Sequence, residues 1–176
     1  SQAIKLRASG VTRINHNLNT GKNFYKNICT THKYEDRVKN IKMLKSVGFE
    51  ICSGGIVGMG ESQEDIIDML QDLRKLQPQS VPINFLIPIK GTPFEAKTNV
   101  LNPYYCLKVL CLARFLLPSQ DIRVAAGREI HFGALQPLIF YIVNSIFASG
   151  YLTSGGQSIE DTIKLIKESG FEYEIE

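Results

Sequence analysis

Apolar and polar positions along this chain follow two periods, one near three to four residues and one of two, and the two alternate. Between Tyr34 and Val47 apolar side chains recur at Val38, Ile41, Leu44 and Val47, a helical stripe that Gly48 closes. Ile66, Ile67, Met69, Leu70 and Leu73 give a second helix a buried face, and Ser62-Gln63-Glu64-Asp65 reads as its capping box. A third helix opens at Asn102-Pro103, as N-cap and first-turn proline, and lasts to about Leu117 before Pro118. Ser158-Ile159-Glu160-Asp161 caps another, with Ile163, Leu165 and Ile166 on its apolar side. Residues 1–9 form the last turns of a helix stopped at Gly10, and a further helical segment lies near Leu135–Val143. Between these come strand patterns: Val11–Ile14, Phe49–Val57, Ser80–Ile87, Asp121–Ala126 and Ser145–Ala148.

Strand and helix thus alternate about five times through short connections, the pattern of a parallel sheet with helices outside it. No G-x-G-x-x-G follows the first strand, which argues against a dinucleotide-binding fold. The strands instead end in polar or glycine-rich residues, as they do on the active face of a (β/α)₈ barrel. The fold class expected is therefore α/β, a partial (β/α)₈ TIM-type barrel made of about its last five βα units. Roughly three units are expected upstream. The expected core spans about residues 9–149, and residues 150–176 form a C-terminal tail with one amphipathic helix.

Composition changes this picture little. With 176 residues, 44% of them apolar, the chain can bury a sizeable core. A formal charge of +3 comes from interspersed Lys and Arg, without the basic concentration of a nucleic-acid binder. No apolar run approaches a transmembrane length. The four cysteines, at 29, 52, 106 and 111, form no C-x-x-C pair and read as reduced intracellular thiols. Cys106 and Cys111 lie about 140° apart on a helix and so do not converge on one metal.

Chemistry concentrates in Ile51-Cys52-Ser53-Gly54-Gly55-Ile56-Val57-Gly58-Met59-Gly60-Glu61-Ser62. Glycines weaken a strand unless something must approach its backbone, either a planar ligand or a tightly packed barrel wall. Asn15, Asn17 and Asn19 are spaced by two, which puts their amides on one face while strand geometry lasts. Such amides suit neutral hydroxyl or ureido groups, and an Asn-rich turn is the plainer alternative. Asn84 sits in an apolar strand, where a buried amide must find partners. Arg123, before Ala125-Ala126-Gly127, suits a buried ion pair or an anion clamp.

Five blocks in order, Ile14–Thr20, Cys52–Glu61, Ser80–Asn84, Lys90–Pro93 and Arg123–Glu129, carry a resemblance to the biotin synthase family of radical S-adenosylmethionine (SAM) enzymes. The likeness runs from about Ser9 to Ser149. The family's C-x-x-x-C-x-x-C motif for a 4Fe–4S cluster is absent, and the resemblance places it upstream.

The resemblance implies sulfur insertion into dethiobiotin, the last step of biotin synthesis. SAM is the radical source and a 2Fe–2S cluster the sulfur donor. It assigns Cys52 and Arg123 to the 2Fe–2S cluster, Asn17, Asn19, Gly54 and Ile56 to SAM, and Asn15 and Asn84 to dethiobiotin. Ser80 and Ser145 fall near the cluster, and Glu61 stabilises the glycine turn. Position 19 is commonly Asp in the family, whereas this chain has Asn. Arg123 is chemically unusual as a ligand, because a guanidinium has no free lone pair. The resemblance also implies an electron donor such as flavodoxin or ferredoxin, a homodimer, and a cytoplasmic location (the mitochondrial matrix in a eukaryote). Two other readings stay open: a different barrel-type radical-SAM enzyme, and a non-catalytic half-barrel serving as an interaction module.

Overall fold

A computed structural model describes residues 2–97, 101–151 and 155–175. Six strands make one parallel sheet: β1 (Arg13–Asn15), β2 (Glu50–Cys52), β3 (Gly55–Val57), β4 (Ser80–Phe85), β5 (Asp121–Val124) and β6 (Ser145–Ile146). Their order is β1-β2-β4-β5-β6, with β3 also on β4. Helices α1 (Gln2–Ala8), α2 (Tyr34–Ser46), α3 (Gln63–Leu76), α4 (Pro103–Leu116), α5 (Arg128–Phe132), α6 (Gln136–Ile139) and α7 (Ile159–Glu168) fill the connections.

Local chemistry sets the helix starts. The Ser62 hydroxyl accepts from the Asp65 amide at 3.1 Å, and the Asp65 carboxylate accepts from the Ser62 amide at 2.9 Å. These reciprocal bonds satisfy donors that the first turn of α3 leaves open. Asn102 accepts from the Tyr104 amide ahead of Pro103, and Ser158 accepts from the Asp161 amide at α7.

One face of the sheet is apolar. Ile51, Val57, Val81, Ile83, Phe85, Ile122 and Val124 are fully buried and pack with Ile41, Leu70, Leu73 and Leu110 from the helices. Alternation puts Asn15, Cys52, Ser80, Asn84, Asp121 and Arg123 on the opposite face, where Arg123 lines a cavity together with Ile159, Thr162 and Ile163 of α7.

Three elements differ from the sequence expectation. The strand expected over Phe49–Val57 is two short strands, interrupted at Ser53-Gly54. The interruption does not shift register against β4, since Cys52 pairs with Ser80 and Gly55 with Ile83. Gly127-Arg128, expected as a stop, starts α5 instead, with Gly127 at φ +87°. A side chain at Gly127 would overlap the Phe85 carbonyl, so the turn from β5 into α5 requires glycine there. The segment expected as one helix near Leu135–Val143 is a 3₁₀ turn, Gly133–Leu135, followed by the single turn of α6.

Candidate functional site

The sheet face opposite the apolar one carries its polar groups in lateral rows. In the first, Asn15 pairs with Cys52, Cys52 with Ser80, and Ser80 with Asp121. The Asn15 amide donates to the Cys52 sulfur at 3.5 Å. The Ser80 hydroxyl is buried and, among the described residues, meets no hydrogen-bond partner. A buried polar group left unsatisfied costs free energy, so this orphan beside a thiol suits a bound polar or metal-containing group.

One row further along stand Pro82, Arg123 and Ser145. Arg123 Nε donates to Asp121 Oδ2 at 2.7 Å, and the Ser145 hydroxyl donates to Asp121 Oδ1 at 3.1 Å. The ion pair allowed for at Arg123 is present, and Asp121 is the residue that sequence reasoning passed over. The signal was available, because residues two apart on a strand share a face. With the Asp121 carboxylate against it, the guanidinium is held as a cation.

A third row holds Ile56 opposite Asn84. Asn84 donates to the Gly55 carbonyl and accepts from the Ala126 amide, each at 3.2 Å. Its side chain thereby ties β3 to the segment after β5. One N–H and one lone pair of the amide remain for a ligand.

The three asparagines do not share one face. Asn15 pairs with Cys52, but Asn19 bridges Gly55, so the backbone takes up one extra residue between them. Asn19 adopts a left-handed φ of +73°, which asparagine tolerates better than most residues. Asn17 Oδ1 accepts from the Gly54 amide at 3.0 Å, and the Asn19 amide donates to the Gly54 carbonyl at 3.0 Å. Between them, these two residues hold both backbone polar groups of Gly54. Any side chain at Gly54 would overlap the Pro82 carbonyl. Tight wall packing therefore accounts for this glycine without a ligand. Arg37, also passed over, donates to the Asn17 carbonyl at 3.2 Å and to the Tyr25 hydroxyl at 2.9 Å.

After β3, Gly58 and Gly60 have φ of +104° and +113°. Glu61 accepts from their amides, at 2.6 Å from Gly58 and 3.0 Å from Gly60. This matches the turn-stabilising role expected of it.

Two other thiols lie apart from these rows. A hydrogen bond with the Thr31 hydroxyl, then the His32 backbone, brings the Cys29 thiol down to about 7. Burial pushes the Cys106 thiol up to about 12. Among the described residues, no three His, Cys, Asp or Glu side chains gather as a metal site. A thiol such as Cys52, beside the Ser80 orphan, could give one donor to a metal-containing group, and the described residues could supply only part of such a ligand set.

A parallel βα array with a polar face and a glycine turn at its strand ends defines a barrel-type α/β protein. Solved structures share this fold. Methylornithine synthase (PylB) matches with a TM-score of 0.78 at 18% identity, over 98% of this chain and 55% of its own. HydG, a maturase of the FeFe-hydrogenase, matches with a TM-score of 0.76 at 13% identity, over 96% of this chain and 41% of its own.

The sequence narrows the class. Residues 82–172 match the Biotin and Thiamin Synthesis associated domain, and residues 1–73 match the Radical SAM superfamily. The chain belongs to the Biotin and Thiamin Synthesis associated domain family. It is 50% identical to Biotin synthase 2 of Frankia casuarinae over 98% of this chain and 48% of that protein. Biotin synthases of Geobacillus thermodenitrificans and Bacillus subtilis are 49% and 48% identical, over 52% and 51% of their lengths. The chain spans about half the length of the curated relatives it matches. No helix among the described residues is long and apolar enough to cross a membrane.

Proposed function

We propose that this chain contributes the glycine-strand and Arg123 portion of a biotin synthase, which inserts sulfur into dethiobiotin by radical-SAM chemistry. The observation that carries the reading is the row Asn15–Cys52–Ser80–Asp121, with Arg123 one row on. The row brings a hydrogen-bonded thiol and a buried hydroxyl without a partner among the described residues together on the polar face of the sheet.

In this reading Cys52 supplies a thiolate to a 2Fe–2S cluster, and the Asn15 amide stabilises the charge on its sulfur. Arg123, ion-paired with Asp121, would stand beside the cluster from the neighbouring row. The cluster, when bound, supplies the sulfur. The 4Fe–4S cluster that reduces SAM takes its ligands from the longer polypeptide. Asn17 and Asn19 fix the strand wall at Gly54, and Ile56 offers an apolar contact to adenine. Asn15 and Asn84 meet the ureido ring of dethiobiotin with their spare hydrogen-bonding capacity. A flavodoxin- or ferredoxin-type donor, a homodimer and a cytoplasmic setting complete the proposal.

The test is anaerobic turnover by the longer polypeptide with SAM, dethiobiotin and a reductant. Biotin formation is the expected result. SAM cleavage with no sulfur inserted would favour a different barrel-type radical-SAM enzyme, and no SAM cleavage at all would favour a half-barrel without chemistry.

A further inference from the structure

His131 is buried, at 3% exposure, and among the described residues its ring nitrogens bond to backbone groups. Its ring bridges two backbone groups far apart in sequence. The Leu101 amide donates to Nδ1 at 3.0 Å, so the ring proton lies on Nε2, which donates to the Leu86 carbonyl at 2.9 Å. The ring is seated against Phe85, with centroids 6.2 Å apart, and its own amide donates to the Gly127 carbonyl at 3.0 Å.

Both residues that the imidazole holds lie against the glycine turn. The Leu86 amide donates to the Val57 carbonyl at 2.8 Å, at the end of β3. A methyl group at Gly58 would lie 3.0 Å from a Leu101 methyl and 3.4 Å from Leu86 Cβ. Gly58 is the first residue of the turn that Glu61 clamps. Without the imidazole, two part-buried backbone groups lose their partner, and Leu101 loses its hydrogen bond to α5.

We infer that His131 is a positioning residue: its imidazole holds Leu86 and Leu101 against Gly58 and so fixes the glycine turn that borders the proposed SAM site. The inference rests on the radical-SAM reading above. His131 reaches that site only through Leu86 and Leu101.

The test compares three substitutions in the longer polypeptide. His131→Gln places a carbonyl and an N–H about where the two ring nitrogens stand, and retains both bonds. His131→Leu removes both, and His131→Asn retains only the bond from Leu101. For His131→Leu, the KM for SAM rises about five- to tenfold with kcat within about twofold of wild type. His131→Gln stays within about twofold on both. Exchange of the Leu101 amide, followed by hydrogen–deuterium exchange, accelerates in the Leu variant and not in the Gln variant.

An unchanged KM in a folded His131→Leu protein overturns the inference, as does equal behaviour of Leu and Gln. If the Leu variant fails to fold, Asn against Gln decides. A higher SAM KM for Asn supports the assignment, and equal values overturn it. Absence of SAM cleavage in the wild type fells the radical-SAM reading and this inference with it. The exchange data then still report separately whether His131 holds Leu101.

Discussion

The two faces of one sheet obey different rules here. On the helix-covered face the strands point aliphatic and aromatic side chains into the core, and Ile51, Ile83, Phe85 and Val124 are fully buried. The opposite face, built from the residues between them, carries a thiol, two amides, an ion pair and a hydroxyl unsatisfied among the described residues. The first arrangement stabilises the fold by burial, at about 25 cal/mol for each Å² of apolar surface removed from water. The second gains little from burial and holds groups that a folded core avoids unless they have partners. Stability and chemistry are thus divided by a period of two along the same strands.

The largest effect that would break this division is a truncation on the covered face. Phe85→Ala should cost about 3–5 kcal/mol, because Phe85 is fully buried edge-on against Phe132 and its removal leaves a cavity in the core. A urea melt of the purified protein measures it. A cost under about 1 kcal/mol would mean that this face is not the main source of stability. Asp121→Ala, on the polar face, should cost less, about 1–3 kcal/mol, by removing a partner from Arg123 and Ser145. A cost equal to that of Phe85→Ala would erase the distinction between the faces.

Thiol chemistry sharpens the comparison without touching stability. Cys106 lies on the buried side of α4 with its thiol raised by burial, whereas Cys29 lies in a loop with its thiol lowered. Raising the pH from about 6 to 8 should therefore increase Cys29 alkylation steeply, as its thiolate forms near 7, while Cys106 stays inert. Peptide mass spectrometry after iodoacetamide treatment gives the order. Equal labelling of both at neutral pH would contradict it.

Much of this division was legible in the sequence, and the misses share a cause. The caps at Ser62, Asn102 and Ser158 are short-range signals, because the bonding partners lie two or three residues away. Burial of Val81, Ile83 and Phe85 followed from a run of apolar strand residues. The break at Ser53-Gly54 was not readable, because it depends on Asn17 and Asn19, more than thirty residues upstream. The same long-range bonding places Asn19 in its left-handed conformation and takes the three asparagines off one face. Helix α5 was missed because a glycine followed by arginine reads as a stop. Here Arg128 is fully buried, joined to Glu129, Gln136 and Gln157. His131 gave no signal at all, since its partners are the backbone of Leu86 and Leu101.

The central claim is that the polar face serves a cluster through Cys52, and one measurement addresses it most directly. The longer polypeptide carrying Cys52→Ala, reconstituted anaerobically, is examined by Mössbauer spectroscopy alongside a SAM-cleavage assay. The account predicts loss of the 2Fe–2S signal, retained 4Fe–4S signal and SAM cleavage, and stability within about 1 kcal/mol of wild type, since a half-buried thiol adds little to the core. A full 2Fe–2S signal with normal sulfur insertion in that variant would contradict it.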